Sequence, residues 1–502
     1  MTALALRFEE IAREHPNRCA VLDDDGREVS YRLLRQRASR LAQALDRAGV
    51  RDGARVGVHL DRGIQHVETI MAIVLAGGAY VPLPVEYPTE RLAYLAADAD
   101  LHAVATDASH GADVTSWFGG LTVVIDGRAD VETIGRAIPT EPSAEPLACL
   151  LYTSGSTGLP KGVGVSVANV AHLVVDCTWV DLSAAPVIGQ VSNAAFDAMT
   201  FEVWGALLNG GTLRIVTGIL SAAAPKLRRT AGDRPTMLFL TTGLFNRLAR
   251  GAAEGLHGVT TLLFGGELAD SDTVCEFVRS GYPGRLLHVY GPTETTTFAT
   301  YWDVDLTEAP AGLLPVGTPL PDAVISIRDA DGARLPAGAE GEVWIGGNGV
   351  TTGYWRRDDL TRQRFVTESD ATFYRSGDLG MIRSVAGREL LVIQGRLDDQ
   401  FKHRGYRIEP AEIESALRHQ LGGEAVVTPV PTSRGPLLGA FLVHAGVPVE
   451  SSIIRQRLAR ALPPFMIPDV YLAVDTIPLT PNGKIDRDEL RSHFVARTAG
   501  RR

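Results

Sequence analysis

The sequence predicts an α/β fold: a large N-terminal domain, residues 1–395, of αβ-layered subdomains with a small β-ribbon or barrel part, then a small α+β domain over residues 396–502. Three textures carry this expectation. In the first, apolar runs alternate with stretches of helical period, which argues for largely parallel sheets with helices on both faces. HVETIMAIVLAGG has apolar spacing near 3.6 and closing glycines, and the strand-like AYVPL follows it. The strand TLLFGG, a helix through SDTVCEFVRSG and the strand RLLHVYG repeat the pattern. The second texture spans about residues 323–347, where AVISIRDADGARLPAGAEGEVWIGG gives two strand runs around a DADG turn and reads as antiparallel ribbon. The third begins near residue 396, where FKHRGYRI reads as a short strand and PAEIESALRHQLGG as a helix started by proline and ended by glycine. AVVTPV and LLGAFLVH add two more strands to that unit.

Length and composition narrow the function. At 502 residues, with 45% hydrophobic and 22% charged residues, the chain can bury large cores and lacks the signature of disorder. A net charge of −10 gives no general attraction to nucleic acid or anionic lipid, so neither is an expected partner. MTALALRFEEIAREHP carries charges early and no unbroken apolar core, so it reads as an amphipathic helix and not a signal peptide. No run is long and apolar enough for a membrane span, and the expected location is cytoplasmic. Cys19, Cys149, Cys177 and Cys275 lack metal-ligand spacing and read as reduced core residues.

The chemistry begins at LYTSGSTGLPKGV, Leu151 to Val163. Glycine lets a backbone approach an anion closely, and Ser and Thr supply hydroxyl donors. Thr153, Ser154, Gly155, Ser156, Thr157 and Gly158 provide both directly after the strand-like LACLLY, and Lys161 adds a cation. The Walker pattern fails, because its second glycine falls on Pro160 and Gly162 follows Lys161. GGNGVTTG is one residue too long for a dinucleotide fingerprint. Taken alone, the loop is a phosphate grip or a flexible turn.

Further motifs follow in order: FDAMTFEVWGALLNGGTL, VYGPTETT, GEVWIGGNGVTTGYW, YRSGDLG, GRLDDQFKHRGYRIEPAEIE and PNGKIDR. With YTSGSTGLPKGV they resemble the successive core motifs of the adenylate-forming superfamily, and within it the amino-acid adenylation domains of nonribosomal peptide synthetases. The resemblance covers essentially the whole chain. It implies that ATP and a carboxylic acid give an acyl-adenylate and pyrophosphate, after which the acyl group passes to a thiol. Cations and oriented donors should dominate such chemistry, because a carboxylate must approach a polyanion.

The resemblance assigns roles to matching positions. Thr153 to Gly158 and Lys161 would hold the β and γ phosphates, Tyr290 would pack on adenine, Thr293 would contact the α-phosphate, and Glu294 would ligate Mg²⁺. Asp378 would accept both ribose hydroxyls, with Arg396 adding a ribose or phosphate contact. Lys484 would reach the reacting carboxylate, and Asp398 would be the hinge on which a mobile small domain turns between two half-reactions. By residue type alone, each has a plainer reading: a solvated lysine at 161 or 484, a helix-start carboxylate at 294, and turn or surface aspartates at 378 and 398.

Asp197 stands where relatives that use α-amino acids bind the ammonium group, and a buried carboxylate needs such a partner. The remaining pocket positions carried over are Ala198, Phe201, Phe239, Leu263, Gly265, Val289, Thr297 and Phe298, completed by Lys484. Apart from Thr297 the lining is apolar, which implies an aliphatic amino acid, isoleucine-like first, then valine, then leucine. The implied partner is a separate peptidyl carrier protein with a phosphopantetheine arm. The chain starts at Met1 and ends at Arg502 without a carrier motif, so it reads as free-standing, with a domain cut from a larger synthetase as the alternative. An acyl-CoA ligase or a non-catalytic amino-acid sensor would be the rival functions. Two departures stand out: Pro84 and Val85 replace the usual Asp-Pro after YVPL, and Ser166 to Asn169 replace the usual His-Arg.

Overall fold

Strands that are apolar on both faces, such as Thr261–Gly265 and Ala103–Asp107, form the centre of two large sheets. The computed structural model describes residues 2–126, 131–135, 146–155, 158–217, 235–308, 313–385, 387–432, 435–443, 450–480 and 485–499. It falls into two compact units. The first comprises Met1–Val85, Ala96–Leu151 and Gly162–Leu397, and the second Glu86–Leu95, Tyr152–Lys161 and Asp398–Arg502.

In the first unit, among the described residues, one sheet has nine strands and another seven. The nine-stranded sheet is parallel from Arg285–Tyr290 through Thr261–Gly265, Met237–Thr241, Val187–Gln190 and Thr212–Ile215 to Cys19–Leu22, with antiparallel strands at both edges. Helices Ile64–Leu75 and Ala198–Leu207 are apolar around most of their circumference, and the second is buried at every residue. Trp204 Nε1 donates to Tyr80 Oη at 3.2 Å, tying that helix to the strand Ala79–Pro82 of the seven-stranded sheet. The ribbon expected near 323–347 is present: Ala323–Arg328 pairs antiparallel with Gly341–Gly347, joined to the long strand Ala371–Val385. Ser166 and Asn169, at the departure from the usual His-Arg, form a capping box that starts the helix Val167–Val174. That exchange therefore has a local structural use.

The second unit has a three-stranded sheet, Glu424–Val430, Leu437–Val443 and Val470–Val474, packed under helix Pro410–Leu421. Gly422 ends that helix in the left-handed region at φ 71°. FKHRGYRI departs from the single strand expected. It is a hairpin, Phe401–His403 with Tyr406–Ile408, turned by Arg404 and Gly405 at φ 56° and 87°. Two positive φ values in succession are what a tight two-residue hairpin turn requires. None of the four cysteines is joined in a disulfide, and no helix among the described residues is long and apolar enough to cross a membrane.

His288, in the strand Arg285–Tyr290, stacks on Phe264 at 4.6 Å, and its Nδ1 lies 2.7 Å from the Pro315 carbonyl oxygen. Burial pushes its imidazole down to about 4. Since the unfolded chain takes up this proton near pH 6.5, the stability from neutral His288 is complete above that pH and is lost as pH falls toward 4. In denaturant unfolding, lowering the pH from 7 to 5 should cost the wild type about 2 kcal/mol relative to His288→Gln. An unchanged difference between the two proteins would contradict this linkage.

Candidate active site

The C-terminal ends of the parallel strands bring one group of side chains together in the first unit. Tyr290 ends the strand Arg285–Tyr290, and Asp378 lies directly across the antiparallel ladder from Arg396. Tyr290 Oη donates to Asp378 Oδ2 at 2.6 Å, and Arg396 Nη1 donates to Oδ1 at 2.6 Å. The Asp378 amide donates to Ser376 Oγ at 3.0 Å, and that hydroxyl donates to the Val343 carbonyl at 2.6 Å. Burial, reinforced by the Asp378 charge, raises the Tyr290 hydroxyl well above its usual range, so it stays a donor at neutral pH. A carboxylate has about four acceptor sites, so Asp378 can keep these two donors and receive two more.

After Tyr290 the chain makes one tight turn, Thr293–Thr295, and then places Thr296 and Thr297 in the left-handed region at φ 58° and 73°. For β-branched residues this conformation costs about 1 kcal/mol or more each. The threonines recover some of it through hydrogen bonds. Thr296 Oγ1 donates to the Gly349 carbonyl at 2.7 Å, and Thr297 Oγ1 to the Asp197 carbonyl at 2.9 Å. A Cβ at Gly291 would lie 2.6 Å from the Thr297 carbonyl oxygen, so the fold-back needs glycine there. Its result is a fully buried Glu294 whose Oε1 accepts from Tyr354 Oη at 2.7 Å. Thr293 Oγ1 donates to Asp197 Oδ2 at 2.6 Å. Asp197 stands at the N-terminus of helix Ala198–Leu207 without capping it through its side chain, where the helix dipole favours a carboxylate.

Beside Asp197 lies an apolar wall. Strand register sets Phe239 opposite Leu263 and Gly265 opposite Val289, and the two-residue repeat puts Leu263 and Gly265 on one face. Phe298 sits between Phe201 and Phe239, each ring centre 5.4 Å away. Ala198 and Phe201 are buried three residues apart in the first turns of the helix that Asp197 precedes. Gly265 is fixed by the backbone, because a Cβ there would lie 2.1 Å from the Val289 carbonyl oxygen. Sequence reasoning missed Trp179, whose buried ring centre is 5.7 Å from Phe201 and 5.8 Å from Phe298. It also gave Tyr354 no role, although the residue belongs to the glycine-rich GYW motif that sequence inspection singled out.

The phosphate loop and the remaining positions belong to the second unit. Thr153 ends the strand Leu147–Thr153, and its Oγ1 is buried without a hydrogen-bond partner. A Cβ at Gly155 would lie 1.9 Å from the Leu159 carbonyl oxygen, and Gly158 has φ 87°, so both positions demand glycine. Lys161 is buried at the start of the strand Lys161–Ser166. Asp398 is exposed and its Oδ1 accepts from the Gln400 amide at 3.3 Å. Ser156, Thr157 and Lys484 lie outside the described residues. No group of three or more His, Cys, Asp or Glu suited to a metal occurs among the described residues. A Mg²⁺ ion held by one carboxylate and by substrate phosphates needs no such group, and buried Glu294 beside Thr293 fits that arrangement.

Residues 8–355 match the AMP-binding enzyme family, and residues 412–484 match the AMP-binding enzyme C-terminal domain. Malpibaldin synthetase from Mortierella alpina is 36% identical over 96% of this chain, and bacitracin synthase 1 from Bacillus licheniformis is 33% identical over 98%. The chain spans only 9% of the length of each of these two relatives. Among solved structures, an artificially fused adenylation–PCP di-domain NRPS from Klebsiella oxytoca aligns with TM-score 0.82 at 27% identity, covering 94% of this chain and 93% of that one. An NRPS protein containing adenylation and PCP domains, bound to a vinylsulfonamide inhibitor, aligns with TM-score 0.83 at 28% identity over 97% of this chain and 83% of its own. The chain belongs to the AMP-binding enzyme family.

Proposed function

We propose that this protein activates an aliphatic α-amino acid, isoleucine-like with valine and leucine next, and passes it to the phosphopantetheine thiol of a peptidyl carrier protein. The observation that carries this reading is the convergence of Thr293 and Thr297 on Asp197, a carboxylate beside a wall of Phe201, Phe239 and Phe298. A half-buried carboxylate invites an ammonium group, and the wall offers a side chain only dispersion and apolar contact.

In the first half-reaction an oxygen of the substrate carboxylate attacks the α-phosphorus of ATP, the bond to the bridging oxygen of the β-phosphate breaks, and pyrophosphate leaves. Asp378 accepts the ribose hydroxyls and Tyr290 packs on the adenine. Thr293 orients the α-phosphate while Thr153 to Gly158 and Lys161 grip the departing phosphates. Mg²⁺, when bound, would supply charge neutralisation at the phosphates, and Glu294 is the side chain that would hold it. Lys484 stabilises charge on the attacking carboxylate. In the second half-reaction the carrier thiolate attacks the acyl carbon and AMP leaves, with the chain turning near Asp398 between the two steps.

An ATP–pyrophosphate exchange panel over the protein amino acids, an aryl acid and a fatty acid tests the reading. Isoleucine, valine and leucine should give the highest exchange, within about 10- to 200-fold of one another because single methylenes discriminate weakly. Exchange confined to polar, charged or non-amino acids would refute the pocket assignment, and failure to load any phosphopantetheinylated carrier from isoleucine would refute the transfer step.

A further inference from the structure

The second unit holds its phosphate loop with a buried carboxylate that the proposed chemistry does not use. Glu412, in the first turn of helix Pro410–Leu421, is 2% exposed. Its Oε1 accepts from Arg91 Nη1 at 2.7 Å, and its Oε2 accepts from the Gly155 amide at 3.4 Å. Arg91 is itself 7% exposed. On either side, Ser154 Oγ donates to the Arg407 carbonyl at 3.0 Å, and a Cβ at Gly158 would meet Ser415 Cβ at 3.1 Å. Glu412 and Ser415 are three residues apart, so the same face of the helix meets the loop at both ends.

The polarity is the informative part. A loop built to grip phosphate presents backbone N–H groups to an anion, and here the anion at Gly155 is a carboxylate of the protein. Burial raises the Glu412 carboxyl above its usual range, and the Arg91 guanidinium and the Gly155 amide oppose that shift by favouring the charged form. A purely structural Arg91–Glu412 pair would have no need of the loop amide.

We infer that Glu412 is a positioning residue that stands in for phosphate, occupying the Gly155 donor when the loop is empty and yielding it when a phosphate arrives. The inference rests on the reading of Thr153 to Gly158 as the pyrophosphate grip. Such an internal competitor weakens nucleotide and pyrophosphate binding and speeds loop emptying. One hydrogen bond to a charged group, stretched as this one is, corresponds to about a fivefold change in affinity.

Calorimetric titration of magnesium pyrophosphate into the full chain tests this, using wild type, Glu412→Gln and Lys161→Ala. Glu412→Gln keeps an acceptor for Arg91 but removes the competing charge, and it should bind about fivefold tighter and lower the KM for pyrophosphate in exchange without raising kcat. If burying Arg91 beside glutamine prevents folding, the Arg91→Met/Glu412→Leu double variant should show the same tightening. Equal or weaker binding by the Glu412 variants, with Lys161→Ala weakened, overturns the competitor role. Wild-type binding by Lys161→Ala overturns the loop reading beneath it.

Discussion

Glu294→Gln should lower amino-acid-dependent ATP–pyrophosphate exchange roughly 1000-fold, about 4 kcal/mol of transition-state stabilisation, while the protein still folds. The size follows from scarcity. No cluster of three metal-suited side chains exists among the described residues, so the carboxylate of Glu294 would be the protein's main hold on the ion that neutralises the phosphates. Glutamine fills the same buried space and can still accept the Tyr354 hydroxyl at Oε1, so the neighbourhood changes in charge and little else. Tyr354→Phe removes the orienting donor and keeps the charge, for a loss of about 10-fold. Added Mg²⁺ should recover part of the activity of Glu294→Gln and none of that lost in Tyr354→Phe. Exchange by Glu294→Gln within threefold of wild type, with an unchanged melting curve, would remove Glu294 from the chemistry.

The contrast between these two residues also marks what the sequence makes legible. Strands such as TLLFG and RLLHVY are apolar on both faces, and this alone points to buried parallel strands between helices. Glu294 stands out because it lies inside a dense motif. Tyr354 lies sixty positions away and is held near Glu294 by non-local pairings, the Thr351 amide donating to the Glu294 carbonyl at 3.0 Å and the isolated bridge between Val163 and Tyr354, which no local pattern announces. Trp179 is hidden for a similar reason: its neighbours Phe201 and Phe298 come from a helix and from a turn far along the chain. The left-handed pair Thr296 and Thr297 runs against local propensity, since β-branched residues disfavour that region, and tertiary hydrogen bonds hold it there. The Arg404-Gly405 turn has the same character, with a non-glycine residue at positive φ where sequence alone suggests continued strand.

Asp197→Asn should lower kcat/KM for the preferred amino acid roughly 100- to 1000-fold while leaving the KM for ATP within about twofold. The substrate ammonium would lose its counter-charge in a partly desolvated site, and breaking such a pair costs about 2–5 kcal/mol. Asparagine can still accept from Thr293 Oγ1, and Thr297 bonds the backbone carbonyl of residue 197, so the turn that carries Phe298 should keep its shape. That separation makes a substrate-side control informative. A carboxylic acid with the same aliphatic tail but no amine brings the wild-type carboxylate no ammonium and should be a poor substrate. In Asp197→Asn that penalty falls, so the preference for the amine-bearing acid should shrink by about the same factor as the loss with the amino acid. If the variant loses activity equally with both acids, Asp197 shapes the site without reading the ammonium. If it loses activity with neither, the pocket lies elsewhere. The two threonine hydrogen bonds explain why strain at 296 and 297 is tolerated: Thr296 ties the turn to the Gly349 carbonyl, and Thr297 also fixes the position of residue 197 against the wall that reads the substrate.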